Sequence, residues 1–301
     1  MPYLLAGISV GGQYALISVG YTMVYGILRL INFAHGDVFM VAGLIMVYLA
    51  QALPLYLAIP IVIVLIVALG FAIERAAYMP LREAPRMSVM ISAIGVSYLL
   101  QNLALYITGG LNKNYPQIPW ISDSITVFGV STKRVTVVTP FLTVALVIAL
   151  VLLINKTKIG MAMRAVAKDF DTSQLMGIKI NTVISATFAI GSFLAAIGSM
   201  LFFSNYPGVF PTAGAMSGLK AFVAAVFGGI GSIPGAVLGG VIIGVCESVI
   251  KGLDTILSQF NVISTTLELT TFSDAFTFVL LIVILVFKPT GMFGEKTAEK
   301  I

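Results

Sequence analysis

Three polar residues, Asn32, His35 and Asp37, stand together in a chain that otherwise runs through long apolar stretches. A histidine and a carboxylate two residues apart can relay a proton or touch a polar solute, and ionisable groups at membrane depth mark pathways because they are costly to keep there. The same three residues also suit a short water-facing turn in which Asn32 or Asp37 caps a helix. Ser92, Gln101 and Asn102 share one apolar stretch. Ser92 joins the candidates for a polar path, and hydrogen bonds to neighbouring helices, worth about 0.6 kcal/mol each, are the other reading. Glu247 and Lys251, four residues apart, can pair on one helix face. His35 is the only histidine and Cys246 the only cysteine, which leaves no ligand cluster for zinc or iron and no internal disulfide. The Gly-rich run 228–235 lacks the Lys-Ser/Thr ending of a phosphate loop, so the chain offers no nucleotide site of its own.

These residues must be positioned by membrane segments. Of 301 residues, 59% are hydrophobic and only 10% charged, where a soluble domain carries roughly a quarter charged residues. Neither a basic run nor alternating basic and aromatic residues occur, which excludes nucleic-acid binding. No charge interrupts 1–28, 38–73, 87–112, 135–155, 180–219 or 221–246, and a span needs about 20 mainly apolar residues. The first charge is Arg29, so a positively charged signal-peptide start is missing and the first segment is expected in the mature protein.

The fold class this implies is all-α, a single polytopic membrane domain over 1–301 with eight or nine transmembrane segments, some broken or re-entrant. The spans are placed at 3–28, 38–53, 56–73, 88–108, 137–154, 183–203, 217–227, 236–250 and 274–287. Residues 217–227 would rise only about 16 Å at 1.5 Å each, which predicts a half-helix or re-entrant piece. Lys and Arg collect in three places: Arg75, Arg82 and Arg86; Lys156, Lys158, Arg164, Lys168 and Lys179; and Lys288, Lys296 and Lys300. Cytoplasmic loops are enriched in these residues, which puts all three inside, the C-terminus with them, and the N-terminus outside. Residues 109–136 become the main external loop and 252–273 a second one.

A possible internal repeat lays 31–40 over 230–239, with Ile, Gly and Val coinciding. Interrupted segments at matching places in two halves are a transporter signature. Gly235, Gly239 and Gly240 read as close-packing positions, while Gly231, Pro234 and Gly235 also mark a backbone break, tolerated at membrane depth only where it is buried or lines a cavity. The loop 155–182 mixes Met and Leu with charges, which predicts short amphipathic helices turning at 169–172 and docking in a partner's groove.

At this loop the chain resembles a family. The run Gly160-Met161-Ala162-Met163-Arg164-Ala165 through Leu175-Met176-Gly177-Ile178 looks like the LivH-type permease of bacterial branched-chain amino acid ABC importers. So do Ile31-Asn32-Phe33-Ala34-His35-Gly36-Asp37, Ile91-Ser92-Ala93-Ile94-Gly95, Gly228-Gly229-Ile230-Gly231-Ser232-Ile233-Pro234-Gly235-Ala236 and Lys288-Pro289-Thr290-Gly291. Each motif is weak alone; five in this order span nearly the whole chain. The resemblance implies half of a translocation pore in the cell inner membrane. It further implies a second related permease, two cytoplasmic ATP-binding subunits that hold the ATP and Mg this chain lacks, and an extracytoplasmic substrate-binding protein. It makes Arg164, Asp169 and Gly177 coupling residues rather than catalytic ones, and leucine, isoleucine and valine the usual cargo.

Relatives in the superfamily carry urea, amides or other amino acids, so cargo stays open at this level. Two readings from other classes stand beside the importer. An ion-coupled secondary transporter would use His35, Asp37 or Glu247 and need no ATPase. A membrane enzyme would need a nucleophile and base that converge.

Overall fold

The computed structural model describes residues 2–82, 84–127, 130–259, 272–288 and 290–294. Its helices are α1 (Pro2–Leu28), α2 (His35–Ala52), α3 (Leu55–Ile73), α4 (Arg86–Thr108), α5 (Arg134–Lys156), α6 (Lys158–Lys168), α7 (Phe170–Leu175), α8 (Ile180–Asn205), α9 (Ala213–Gly228), α10 (Ile233–Gln259) and α11 (Ser273–Phe287). Against the eight or nine segments expected, seven helices among the described residues are long and apolar enough to cross a membrane, and α9 and α11 are shorter apolar helices. With 16 residues, α9 rises about 24 Å, less than a hydrocarbon layer of about 30 Å. It contains the predicted short piece and begins four residues before it. The second expected loop is partly corrected, since α10 carries helix through 252–259; residues 260–271, like Pro289, Lys296 and Lys300, lie outside the described residues.

Helix ends follow local chemistry. Pro54 and Pro85, both with ψ of 144°, precede α3 and α4, where a missing N–H costs nothing because first-turn donors have no helical partner anyway. Gly109 ends α4 at φ +65°, a left-handed cap that glycine adopts freely. Beyond α3 the chain widens into a π turn, Glu74–Tyr78, and then a 3₁₀ turn, Met79–Leu81. Two short antiparallel pairs decorate one face: β1 (Lys113–Asn114) with β4 (Gly208–Val209), and β2 (Ser124–Val127) with β3 (Val130–Lys133). The opposite, basic face carries α6, α7 and the tail, where Met292 and Phe293 donate backbone hydrogen bonds to Phe227 and Gly228.

Helix α1 occupies the centre, packed along α10 and against α5, α8 and α9. Between apolar helices in lipid, close backbone approach replaces the hydrophobic drive. A Cβ on Gly11 would come 2.6 Å from Val241 Cα, and one on Gly240 would come 2.6 Å from Ala15 N. Gly235 lies against Gly228, and Gly239 against Ala224.

The repeat expected between 31–40 and 230–239 is corrected. The second window spans the turn joining α9 to α10 on the basic face, and the backbone pattern of residues 32–37 recurs instead at 210–215. In the first, His35 N–H donates to Asn32 O at 3.1 Å and Asp37 N–H to Ala34 O at 3.1 Å; in the second, Ala213 donates to Phe210 at 3.0 Å and Ala215 to Thr212 at 3.1 Å. The two turns launch α2 and α9 from one junction, where a Cβ on Gly218 would come 2.8 Å from Gly36 Cα. From there the helices diverge. Tyr48 of α2 reaches Ile107 O at the far end of α4, while α9 ends at the basic-face tail. The likeness of these two turns lies in backbone hydrogen bonds rather than in side-chain identity, which residue matching does not register.

Overpacking a close contact costs about 1–3 kcal/mol. Gly240→Val should therefore lower the thermal midpoint of the detergent-purified protein, while Gly95→Ala, which meets nothing within 4 Å, should leave it unchanged. Equal midpoints would refute the central role given to the α1–α10 contact.

Candidate functional site

The first polar group sits where α1 gives way to α2. Asn32, His35 and Asp37 are all buried. This overturns the water-facing turn, because the chain after Arg29 folds back into the bundle. It also overturns the capping alternative, since Ala34 is the N-cap of α2 and no side chain caps it. Asn32 Oδ1 accepts a hydrogen bond from Tyr78 Oη at 2.9 Å, so the π turn of α3 secures the break. The His35 ring hydrogen-bonds to the backbone of Ile17 and stands edge-on to Tyr21, with centroids 4.9 Å apart. Gly20 gives that ring its room: any Cβ there would overlap it. Among the described residues His35 Nε2 has no partner.

Asp37 accepts hydrogen bonds from Ser97 Oγ at 2.5 Å and Gln101 Nε2 at 3.0 Å, both on α4. Gln101 also reaches Ser97 at 3.2 Å. No cation among the described residues forms an ion pair with Asp37. A buried carboxylate held only by neutral donors keeps the capacity to receive a positively charged donor. Ser92 is not part of this group; it donates to Ala77 O at 3.1 Å and ties α4 to the π turn. Ser97 and Gln101 take the place expected for it. Gln101 was visible as a polar residue in an apolar span, but its pairing with Asp37 across 64 positions left no mark in the sequence.

A second group is ionic. Lys220 of α9 contacts Glu247 of α10 at 3.1 Å and Asp274 of α11 at 2.6 Å. Glu247 also accepts from Lys251 at 2.7 Å, the predicted i, i+4 pair, and from Tyr14 Oη at 2.9 Å. Lys220 escaped notice, although it is the lone charge dividing 180–219 from 221–246. In the π turn, fully buried Glu74 meets Arg82 and receives Ser185 Oγ at 2.8 Å, while Arg82 also bonds Asn181; these contacts join α3 to α8.

The third region is the surface pair α6–α7. Asp169 alone breaks the two helices and caps α7, accepting from Thr172 N–H at 3.0 Å and Thr172 Oγ1 at 2.7 Å. Arg164 donates to Asn155 Oδ1 at 3.0 Å. Gly177, at φ +81°, turns the chain after α7, leaving Leu175 87% and Met176 78% exposed beside it. Arg29 at the end of α1 donates to Ala167 O of α6 at 3.4 Å. On the same face Gly231 adopts φ +101° and Pro234 enters α10 at its second residue. Among the described residues no three His, Cys, Asp or Glu side chains are grouped to hold a metal.

Residues 3–285 match the family model described as branched-chain amino acid transport system, permease component. The chain belongs to this permease family. It is 39% identical to the high-affinity branched-chain amino acid transport system permease protein BraD of Pseudomonas aeruginosa, over 99% of this chain and 97% of the relative. It is 38% identical to LivH of Salmonella typhimurium and 37% identical to LivH of Escherichia coli K12, each over 98% of this chain and 96% of the relative. The chain is thus a multi-pass membrane permease, and such permeases work with partner subunits.

Removing one partner of a buried ion pair costs about 3–5 kcal/mol, whereas an exposed pair is worth about 1 kcal/mol or less. Lys251 is 39% exposed in its side chain against 8% for Lys220. Lys220→Met should therefore lower the thermal midpoint far more than Lys251→Met, and a smaller effect at Lys220 would refute the clamp between α9, α10 and α11.

Proposed function

We propose that this permease forms half of the translocation pore of an ATP-driven importer for leucine, isoleucine and valine. A second related permease completes the pore, two ATP-binding subunits dock on α6 and α7, and an extracytoplasmic binding protein delivers the substrate. The observation that carries this reading is the nearly full-length likeness to three permeases whose names specify branched-chain amino acid transport. The basic face is cytoplasmic, C-terminus included, in keeping with the enrichment of Lys and Arg in inner loops. ATP and Mg belong to the partner subunits, and this chain hydrolyses nothing.

Coupling follows a short physical route. Exposed Leu175 and Met176 offer apolar anchors for a partner's groove, with Arg164, Asp169 and Gly177 shaping the docking surface. Movement of α6 acts on Arg29 through the Ala167 carbonyl. Arg29 precedes the broken segment that carries Asn32 and leads to His35 and Asp37. ATP state can bias the pore only through differential contacts of this kind. The path runs beside Asp37, Ser97 and Gln101, where an amino acid's ammonium group meets a carboxylate that has no ionic partner among the described residues.

The test is reconstitution with the co-purifying subunits and binding protein, followed by radiolabelled leucine uptake. ATP-dependent uptake is expected, and Asp37→Asn should reduce it about ten-fold with complex yield unchanged; full activity would remove Asp37 from the path. Arg164→Glu should lower recovery of the ATP-binding subunits several-fold without affecting membrane insertion, and unchanged recovery would remove the coupling role. Robust uptake by this chain alone under an ion gradient would overturn the importer, and uptake of urea but not leucine would overturn the cargo.

A further inference from the structure

On the basic face a cavity of about 350 Å³ opens between the end of α1, the 3₁₀ turn, the start of α4 and the coupling helices. Its lining contains Arg29, Arg82, Arg86 and Lys168 and, among the described residues, no carboxylate. Arg82 is occupied by Glu74 and Asn181. None of Arg29, Arg86 and Lys168 forms an ion pair among the described residues. The pocket is also where α4 begins, with neither an acidic residue in its first turn nor a capping side chain to offset its N–H groups. Arg29 is held at φ +55°, a conformation that non-glycine residues rarely adopt.

The remaining wall is apolar, formed in part by Leu30, Val89, Val166 and Phe170. On α4 the pocket side is the face of Arg86 and buried Val89, three residues apart, and at the mouth Phe170 is 39% exposed. A cluster of cations at the end of the membrane helices, backed by an apolar wall, matches a ligand with an anionic head joined to hydrocarbon. Basic pockets between membrane helices favour anionic head groups, and Arg forks suit phosphate oxygens.

We propose that this pocket binds the phosphate of an anionic phospholipid, with its hydrocarbon against the wall of Leu30, Val89, Val166 and Phe170. The head group bridges Arg29 and Arg86 to Lys168, and so fastens α6 to α1 and α4. Only the leaflet, the inner one, rests on the sidedness proposed above.

The full-length protein, with the subunits it purifies with, is incubated with equimolar phosphatidylglycerol and phosphatidylcholine of identical acyl chains, and bound lipid is read by native mass spectrometry. We expect at least a ten-fold preference for phosphatidylglycerol, reduced to parity in the double variant Arg29→Gln/Arg86→Gln at an unchanged elution profile. Lys168→Gln, on the exposed side of α6, should reduce the preference several-fold even if the double variant does not fold. Lys113→Gln on the opposite face should not. Absence of a preference in the wild type, or a preference that survives Lys168→Gln, overturns the site. Complete displacement of the lipid by 10 mM inorganic phosphate makes it a soluble-phosphate site and overturns the lipid assignment. Leucine uptake measured in parallel separates the two proposals: uptake without lipid preference rejects the lipid site alone.

Discussion

The arrangement depends on how closely α1 can approach α10. Lipid gives helices no hydrophobic reason to associate, so a central helix must be retained by van der Waals contact, and contact at backbone distance requires side chains to be absent. Gly7, Gly11 and Ala15 on α1 meet Gly240, Gly244 and Val245 on α10 at that distance. With α1 fixed there, its other faces are free to receive α5, α8 and α9, and its end becomes the point from which the chain folds back toward His35. Larger residues at this crossing would displace the axis around which the other helices are arranged.

Around that axis the molecule places two helix starts nose to nose. Gly36 and Gly214 allow the first turns of α2 and α9 to touch, so the positive ends of two helix dipoles meet at one junction. The polar residues that accompany them come from both sides: Asp37 from the break itself, Ser97 and Gln101 from α4, and Asn32 secured by Tyr78. A continuous helix at either position would have no such convergence. The breaks that weaken the apolar pattern are also what give the interior its polarity.

Much of this was legible in the sequence, and the unread parts share a cause. Charge-free runs located every long helix, because charge is the costliest feature for a span to carry. The surface pair α6–α7 was legible for the opposite reason, its charges and apolar residues being interleaved. Partnerships across the bundle were not legible. Asp37 with Gln101, Lys220 with Glu247, and Glu74 with Arg82 depend on how helices pack, and helix periodicity says nothing about which neighbour a face will meet. Ser92 illustrates the limit: it lies in the same helix as Ser97, yet a rotation of about 140° between positions five residues apart directs it to the π turn instead of to Asp37.

Lys220 has a consequence for how the molecule is made. Its counter-ions, Glu247 and Asp274, belong to helices that the ribosome produces after α9. When α9 first leaves the translocation machinery it is a short segment with an uncompensated cation near its middle, a poor candidate to rest by itself in hydrocarbon. The last third of the chain must therefore be admitted to the bilayer together, with α9 waiting for α10 and α11. Biogenesis acquires a direction: the first six membrane helices can settle as they emerge, and the closing three assemble as one parcel in which Lys220 is paired.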